Sequence, residues 1–365
     1  MTVKFTRPSI NIRETLDQLN KPSGIAGNAM LAAETPQEQF NLIGAGRKNL
    51  IINGAMQVSQ RGTSFTDLAA GNFIADRWKL NQNVSNSALA DSAIVTGPTA
   101  GTQAIEVTVA TVPTSLNTTS YCTLRQSIEG SNFTPATSFG SSDAKALTFS
   151  FWHKHSIAGT YSIILRDNLA SLNLLVEYAQ TSADVWERTV LRIPAATTGT
   201  FHSDTQVGIG VEFTLTNGTA YQSSVTNQWF SGTYYHSTPN QTQIFLSPGS
   251  KFRIAQVQLE VGSVATPFEH RSYGEELALC QRYYQTINTN VQGYPGAGGY
   301  FHTNTQFPTQ MRSTPSTNII SGGLANISST GVYDLDNRGC RVECQATNAG
   351  RAYHLGANLT LDAEL

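Results

Sequence analysis

The 365-residue chain carries 23 Lys and Arg against 25 Asp and Glu, a formal charge of −2 that argues against a basic nucleic-acid-binding protein. Charged residues make up only 13% of it, about half the usual share of about 25%. Ser, Thr and Asn total 101 residues beside 30 Gly, which favours a neutral polar surface, β structure and turns. No apolar run approaches the roughly 18 residues of a membrane span, and Met1 to Arg7 has no signal-peptide core. A soluble chain of two or three domains, not exported by that route, is expected.

Residues 1–48 read as an arm. Asn11 with Glu14 can cap a short helix that places Ile12, Leu16 and Leu19 on one face, and Thr35-Pro36-Gln37-Glu38 opens a second one carrying Phe40 and Ile43. Helices this short cannot bury their apolar faces alone, so a partner or the protein body must cover those five residues.

Residues 49–271 alternate in short runs separated by Gly, Asn, Ser and Pro, and predict one β-sandwich of eight or so strands. The clearest runs are Ala104 to Val109, Ala146 to His155, Tyr161 to Arg166, Val185 to Ile193, Gln206 to Leu215 and Phe252 to Val261. Leu147, Phe149 and Phe151 share a face opposite Thr148, Ser150 and Trp152. Ala255, Val257, Leu259 and Val261 share another. Without alternating long helices, a parallel α/β sheet is excluded. Over 272–287, the capping box Ser272-Tyr273-Gly274-Glu275 and the spacing of Leu277, Cys280, Gln281 and Tyr284 predict one connecting helix. Residues 288–365 return to short strands, with a turn at Asp336-Asn337-Arg338-Gly339. This segment is small enough to need a neighbour or copies of itself.

Signatures of chemistry are sparse. There is no Gly-x-Ser-x-Gly elbow, phosphate-binding loop, His-Glu-x-x-His or paired Cys-x-x-Cys. Gly208-Ile209-Gly210 is followed by Val211-Glu212 and reads as a strand pair. Cys340 and Cys344, roughly 13 Å apart along a strand, cannot bond to each other there and read as core. His153 and His155 could share an ion but have no evident third ligand, so an exposed strand end is expected and metal is not. Asp76, Asp167, Asp184, Glu187, Glu212 and Glu269 could serve as a hydrolytic pair only if folding brought two together. Arg47-Lys48 flanks a domain boundary. The aromatic residues Trp229, Phe230, Tyr234, Tyr235 and His236 lie among neutral hydrogen-bonding residues, as do Tyr294, Tyr300 and Phe301. Trp229, Tyr234, Tyr235 and Tyr294 are therefore candidate glycan contacts, against the alternative that they cover a core edge or subunit contact.

The run Asn49-Leu50-Ile51-Ile52-Asn53-Gly54-Ala55-Met56-Gln57-Val58-Ser59-Gln60-Arg61-Gly62, followed by Ala75-Asp76-Arg77-Trp78, resembles the opening of the β domain in many bacteriophage tail-fibre and related virion proteins. Ala255 to Gly262, Ala265-Thr266-Pro267-Phe268-Glu269 and Glu275 to Tyr284 resemble its close. The arm is similar to that of fibre proteins of marine short-tailed phages. The resemblance implies a jelly-roll sandwich similar to carbohydrate-binding modules, a trimeric fibre and an N-terminal segment fixed to the particle. The overall expectation is an all-β chain: a jelly-roll β-sandwich with a short helical arm, a one-helix connector and a small C-terminal β domain. It would be a virion appendage made in the host cytoplasm, a homotrimer. Its arm would bind a tail, neck or adaptor protein through Ile12, Leu16, Leu19, Phe40 and Ile43, and its β domains a host glycan. No enzyme activity, cofactor, nucleic acid or membrane insertion is expected. A head fibre without receptor role and a polysaccharide-degrading tailspike are the alternatives.

Overall fold

The computed structural model describes residues 48–68, 71–84, 89–113, 115–167, 169, 172–232, 234–320 and 322–365. The expected arm helices, with Ile12, Leu16, Leu19, Phe40 and Ile43, lie outside the described residues.

Two antiparallel sheets face each other across one core. The first runs β1 (Ser64–Leu68), β4 (Leu89–Thr96), β5 (Gln103–Thr111), β13 (Lys251–Val261), β7 (Leu147–His153), β10 (Glu187–Ile193). The second runs β12 (Trp229–Ser231), β9 (Leu172–Gln180), β8 (Gly159–Arg166), β11 (Val207–Asn217), β6 (Tyr121–Glu129), β3 (Trp78–Asn83), β2 (Asn72–Ala75). Among the described residues this is thirteen strands, more than the eight or so expected, because strands rich in Ser, Thr and Asn show weak alternation. The six clear runs all fall on strands.

Alternation sets the core. Leu147, Phe149 and Phe151 of β7 meet Ile209, Val211, Phe213 and Leu215 of β11, all fully buried. Phe213 packs against Phe151 and Phe149 at 5.0 and 5.8 Å between ring centroids. On β13 the expected face is wrong in its first member. A bulge between Ala255 and Gln258 shifts the parity, so Phe252 and Ile254 point inward before it and Val257, Leu259 and Val261 after it.

Helix α1 (Gly130–Thr137) interrupts the sandwich where Gly-Ser-Asn-Phe-Thr-Pro-Ala-Thr carries little helical signal. Phe133 anchors it against Phe139 at 5.1 Å. Helix α2 (Tyr273–Gln281) carries the expected capping box: Ser272 Oγ accepts from Glu275 N at 3.4 Å, and Glu275 Oε2 accepts from Ser272 N at 2.9 Å. It stops before Tyr284, which begins a strand instead of closing a helical face. Tyr283 turns inward there, its hydroxyl donating to Glu129 Oε2 at 2.8 Å beneath the Arg77 guanidinium at 3.5 Å.

The remaining strands make two small sheets. One is β14 (Tyr284–Gly293), β20 (Ala352–Asp362) and β16 (Ser316–Ile320), with β17 (Gly323–Ala325) also on β20; the other is β15 (Tyr300–Gln306), β19 (Gly339–Ala346) and β18 (Ile327–Tyr333). Cys340, Val342 and Cys344 share a buried face with Leu359, Leu361 and Met311. Asp336 Oδ1 closes the expected turn by accepting from Arg338 N and Gly339 N at 2.6 and 2.9 Å.

These sheets lean on the sandwich. Ile52, Val58, Cys280 and Tyr283 form a joint apolar cluster. Around it Arg282 pairs with Glu129 at 2.6 Å, Arg61 with Asp362 at 3.2 Å, and Arg77 with Glu364. Lys48 is buried against the loop after β13: its Nζ donates to Thr266 Oγ1 and Pro267 O at 2.8 and 2.6 Å.

Candidate functional site

The parity that sends Val211 and Phe213 into the core sends Glu212 and Thr214 to the outer face of the seven-stranded sheet. Neighbouring strands add Tyr121, Thr123 and Arg125 from β6 and Arg166 from β8. Glu212 is fully buried there, beside His236. Its Oε1 accepts from Arg166 Nη2 at 2.7 Å and lies 3.5 Å from Arg125 Nη1, while Oε2 lies 3.4 Å from His236 Nδ1. Burial alone would raise its pKa, but Arg166, His236 and Arg125 together hold the carboxyl well below the usual range. It therefore stays ionised, and is poorly suited to donate a proton.

Rings surround the charges. Tyr121 stacks on His236 at 4.6 Å, Tyr221 meets Tyr121 edge-on at 5.8 Å, and Tyr234 lies over the Arg166 guanidinium at 5.3 Å. Gly210 makes room for Arg125, since a Cβ there would come within 3.0 Å of its Nη2. Arg166 is 6% exposed, yet its Nε and Nη1 have no hydrogen-bond partner, and neither has Thr123 Oγ1. Buried guanidinium donors without acceptors are costly. An oxygen-rich ligand entering beside the exposed Tyr234 ring would supply those acceptors and an apolar face for stacking.

Of the four aromatic candidates, the structure places only Tyr234, 61% exposed, at this cluster. Tyr235 packs on Phe230 at 5.4 Å and fills the space beside Gly232. Trp229 is used at the core edge: its Nε1 donates to Pro194 O at 2.8 Å, and its ring meets Phe139 edge-on at 5.7 Å. Tyr294, 81% exposed, follows β14 on the C-terminal sheets. Tyr121, Arg125, Arg166 and Tyr221 are not among the residues singled out from the sequence, and Glu212 is there only as one of six carboxylates that could serve as a hydrolytic pair. The available signal was a set of charges at the non-core parity of otherwise apolar strands.

His153 and His155 are not an exposed strand end; both are fully buried. His153 Nδ1 lies 2.9 Å from Gln180 Oε1 and Nε2 2.8 Å from Thr189 Oγ1, whereas His155 Nε2 lies 2.8 Å from Tyr178 OH. His155 also stacks on Phe252 at 4.0 Å. Burial lowers both pKa values, so the rings are neutral core members. The other sequence carboxylates are engaged separately: Asp76 with Gln60, Asp184 with Arg253, Glu187 with Thr181, Glu269 with Asn49, and Asp167 with the Leu169 N–H.

Sheets of six and seven antiparallel strands about a single core define a jelly-roll β-sandwich. No family model matches the chain, and no curated protein sequence matches it. Among solved structures it is similar over 58% of its length to the enzymatically active domain of tailspike protein 4 of bacteriophage CBA120, at 12% identity and a TM-score of 0.32. The matched part spans 21% of that tailspike chain. It is similar over 59% of its length to 99% of TmCBM61 in complex with β-1,4-galactotriose, at 10% identity and a TM-score of 0.28. It is also similar, over 56% of its length, to 99% of the family 11 carbohydrate-binding module of Clostridium thermocellum, at 13% identity and a TM-score of 0.29.

Proposed function

We propose that this chain is a non-enzymatic structural protein of a phage particle, a trimeric fibre held by its N-terminal arm, whose sandwich binds a host-surface saccharide. One observation carries the saccharide reading: Arg166 presents two unpartnered, buried donor nitrogens, Nε and Nη1, beneath the exposed Tyr234 ring. Hydroxyl oxygens and an apolar sugar face match that pairing of donor and ring. The resemblance of Asn49 to Gly62 and of Ala255 to Tyr284 to virion β domains supports the particle location.

Binding of labelled protein to host cells and extracted surface polysaccharide, with wild type and Arg166→Met compared, tests the ligand. Retained binding by a folded Arg166→Met variant would remove the site, and new reducing ends from the polysaccharide would make the protein a tailspike. Deleting residues 1–46 should leave the sandwich folded and trimeric by light scattering while abolishing incorporation into particles. Immunolabelling of virions distinguishes tail from head or neck.

A further inference from the structure

The six-stranded sheet has its own outer face, across the sandwich from Glu212. It holds a cleft of about 530 Å3 lined by Ser150, Trp152, Arg188, Gln256, Phe268 and His270, among others, within the size range of small-ligand sites. Three features of the chain build it. Core Phe151 leaves Trp152 outside on β7, directly across from Arg188 on the edge strand β10. The bulge in β13 places Gln256 at φ +48 between the two core parities, a left-handed conformation that a non-glycine residue adopts at a cost. The loop after β13 then supplies Phe268, with the His270 ring edge-on at 5.1 Å.

The charges in this cleft are unbalanced. Arg188 is exposed, and no carboxylate among the described residues lies within ion-pair distance of it. The nearby acids are turned elsewhere. Glu187 accepts from Thr181 and Ser182, Glu260 from Thr266, and Glu269 from Asn49 and Arg271. A half-buried indole, an unpaired guanidinium and an amide thus converge with no acidic group among them.

We propose that this cleft is a second saccharide site and that it takes a carboxylated sugar, its ring against Trp152 and its carboxylate at Arg188. Guanidinium and carboxylate match in a bidentate fork, and Trp152 gives the sugar an apolar platform. Gln256 supplies neutral hydrogen bonds. The proposal rests on the saccharide reading only for the class of ligand; the two sites share no residue.

The test is fluorine NMR of the full chain labelled with 5-fluorotryptophan, which gives four resonances for four tryptophans; Trp152→Phe assigns the relevant one. Tetragalacturonate and sialyllactose are titrated, with β-1,4-galactotriose as the neutral control. The Trp152 signal should shift saturably with a carboxylated probe, with galactotriose binding about tenfold weaker or less, as loss of a charge-assisted contact implies. Arg188→Gln, an exposed change on an edge strand, should remove that preference, whereas Arg166→Met should leave it intact. A Trp152 signal unmoved by both acidic probes, equal response to the neutral sugar, or an unaffected Arg188→Gln variant would overturn the proposal. If Arg166→Met loses host-cell binding while the Trp152 response also fails, the first site stands and this one falls.

Discussion

The junction between sandwich and C-terminal sheets and the outer face of the seven-stranded sheet both bury charge and amides, yet they treat their hydrogen bonds differently. At the junction Asn53 Nδ2 donates to Val58 O and Asp76 O at 2.8 and 2.9 Å, and its Oδ1 accepts from Val58 N at 3.0 Å. Asn49 bridges Val257 O and Leu259 N in the same way, at 2.9 and 3.0 Å, and Gln126 exchanges two bonds with Ile52, both 2.8 Å. Arg77 Nε and Ser59 Oγ are left over, but the Arg77 plane rests on Tyr283. On the outer face, by contrast, a guanidinium at the centre of the cluster keeps two donor nitrogens unpaired. A satisfied network explains itself by stability, while an unsatisfied charged one needs another reason to persist.

The largest effect should come from the satisfied region. Asn53→Ala strands three buried backbone groups and puts alanine at φ +56; a loss of about 3–5 kcal/mol in urea unfolding is expected. The folded fraction should bind saccharide as before. Reduced affinity with unchanged stability would erase the distinction between the two regions.

Glu212→Gln comes next, at about 3 kcal/mol near neutral pH, because it leaves Arg166 buried without its counter-charge. The pH dependence has a definite sign. With its folded-state pKa depressed below the ordinary 4.5, Glu212 contributes stability that is fully present above that value and lost as pH falls toward the folded pKa. The gap between wild type and variant should therefore narrow on acidification below about pH 4.5. Urea melts at neutral pH and at pH 3 measure it, and a constant gap would mean that the carboxylate is not held by the arginines.

These contrasts also show what the sequence makes legible. Strict period-two runs such as Leu147 to Phe151 and Ile209 to Leu215 are visible because one face is apolar and the other is not. Helix α1 is hidden because its Ser, Thr and Pro content imitates a turn, and tertiary packing of Phe133 decides it. The face of Ala255 is misplaced because a bulge, invisible as composition, flips parity. His153 and His155 show the same limit from another side: polar residues in a core look like surface until partners such as Gln180, Thr189 and Tyr178 are seen. The motif from Asn49 to Gly62 is legible as a resemblance, but its asparagines hold the junction together and touch no candidate site. The proposed saccharide face depends on Arg125, Arg166 and Glu212 from three strands, a convergence that spacing along the chain does not encode.

A milder change sharpens the same comparison. Combining Arg166→Met with Glu212→Gln removes both charges of the close pair, while Arg125, whose side chain is 16% exposed, keeps its own. At least half of the loss caused by Glu212→Gln should be recovered, since an apolar replacement of a buried pair is often neutral. Saccharide binding should still be absent. A double-mutant cycle by urea denaturation gives the coupling, and purely additive losses would show that the pair does not act as a unit.

The smallest effect is expected on the other outer face, and it has the opposite sign. Gln256 sits at φ +48 on a strand that is otherwise regular, held there because the bulge lets Val257 N reach Gly54 O at 2.9 Å and Val257 O accept from Asn49 Nδ2. Glycine tolerates that conformation without the Cβ penalty, at the expense of greater freedom in the unfolded chain. Gln256→Gly should therefore raise stability by about 0.5–1 kcal/mol, with the bulge and its bonds to Asn49 and Gly54 intact. The same change removes the amide from the cleft and should weaken the response of Trp152 to a carboxylated sugar. Stability gained as affinity falls would mark Gln256 as a strained residue kept for its ligand. Stability lost with affinity unchanged would mean that the side chain serves only to pack the strand.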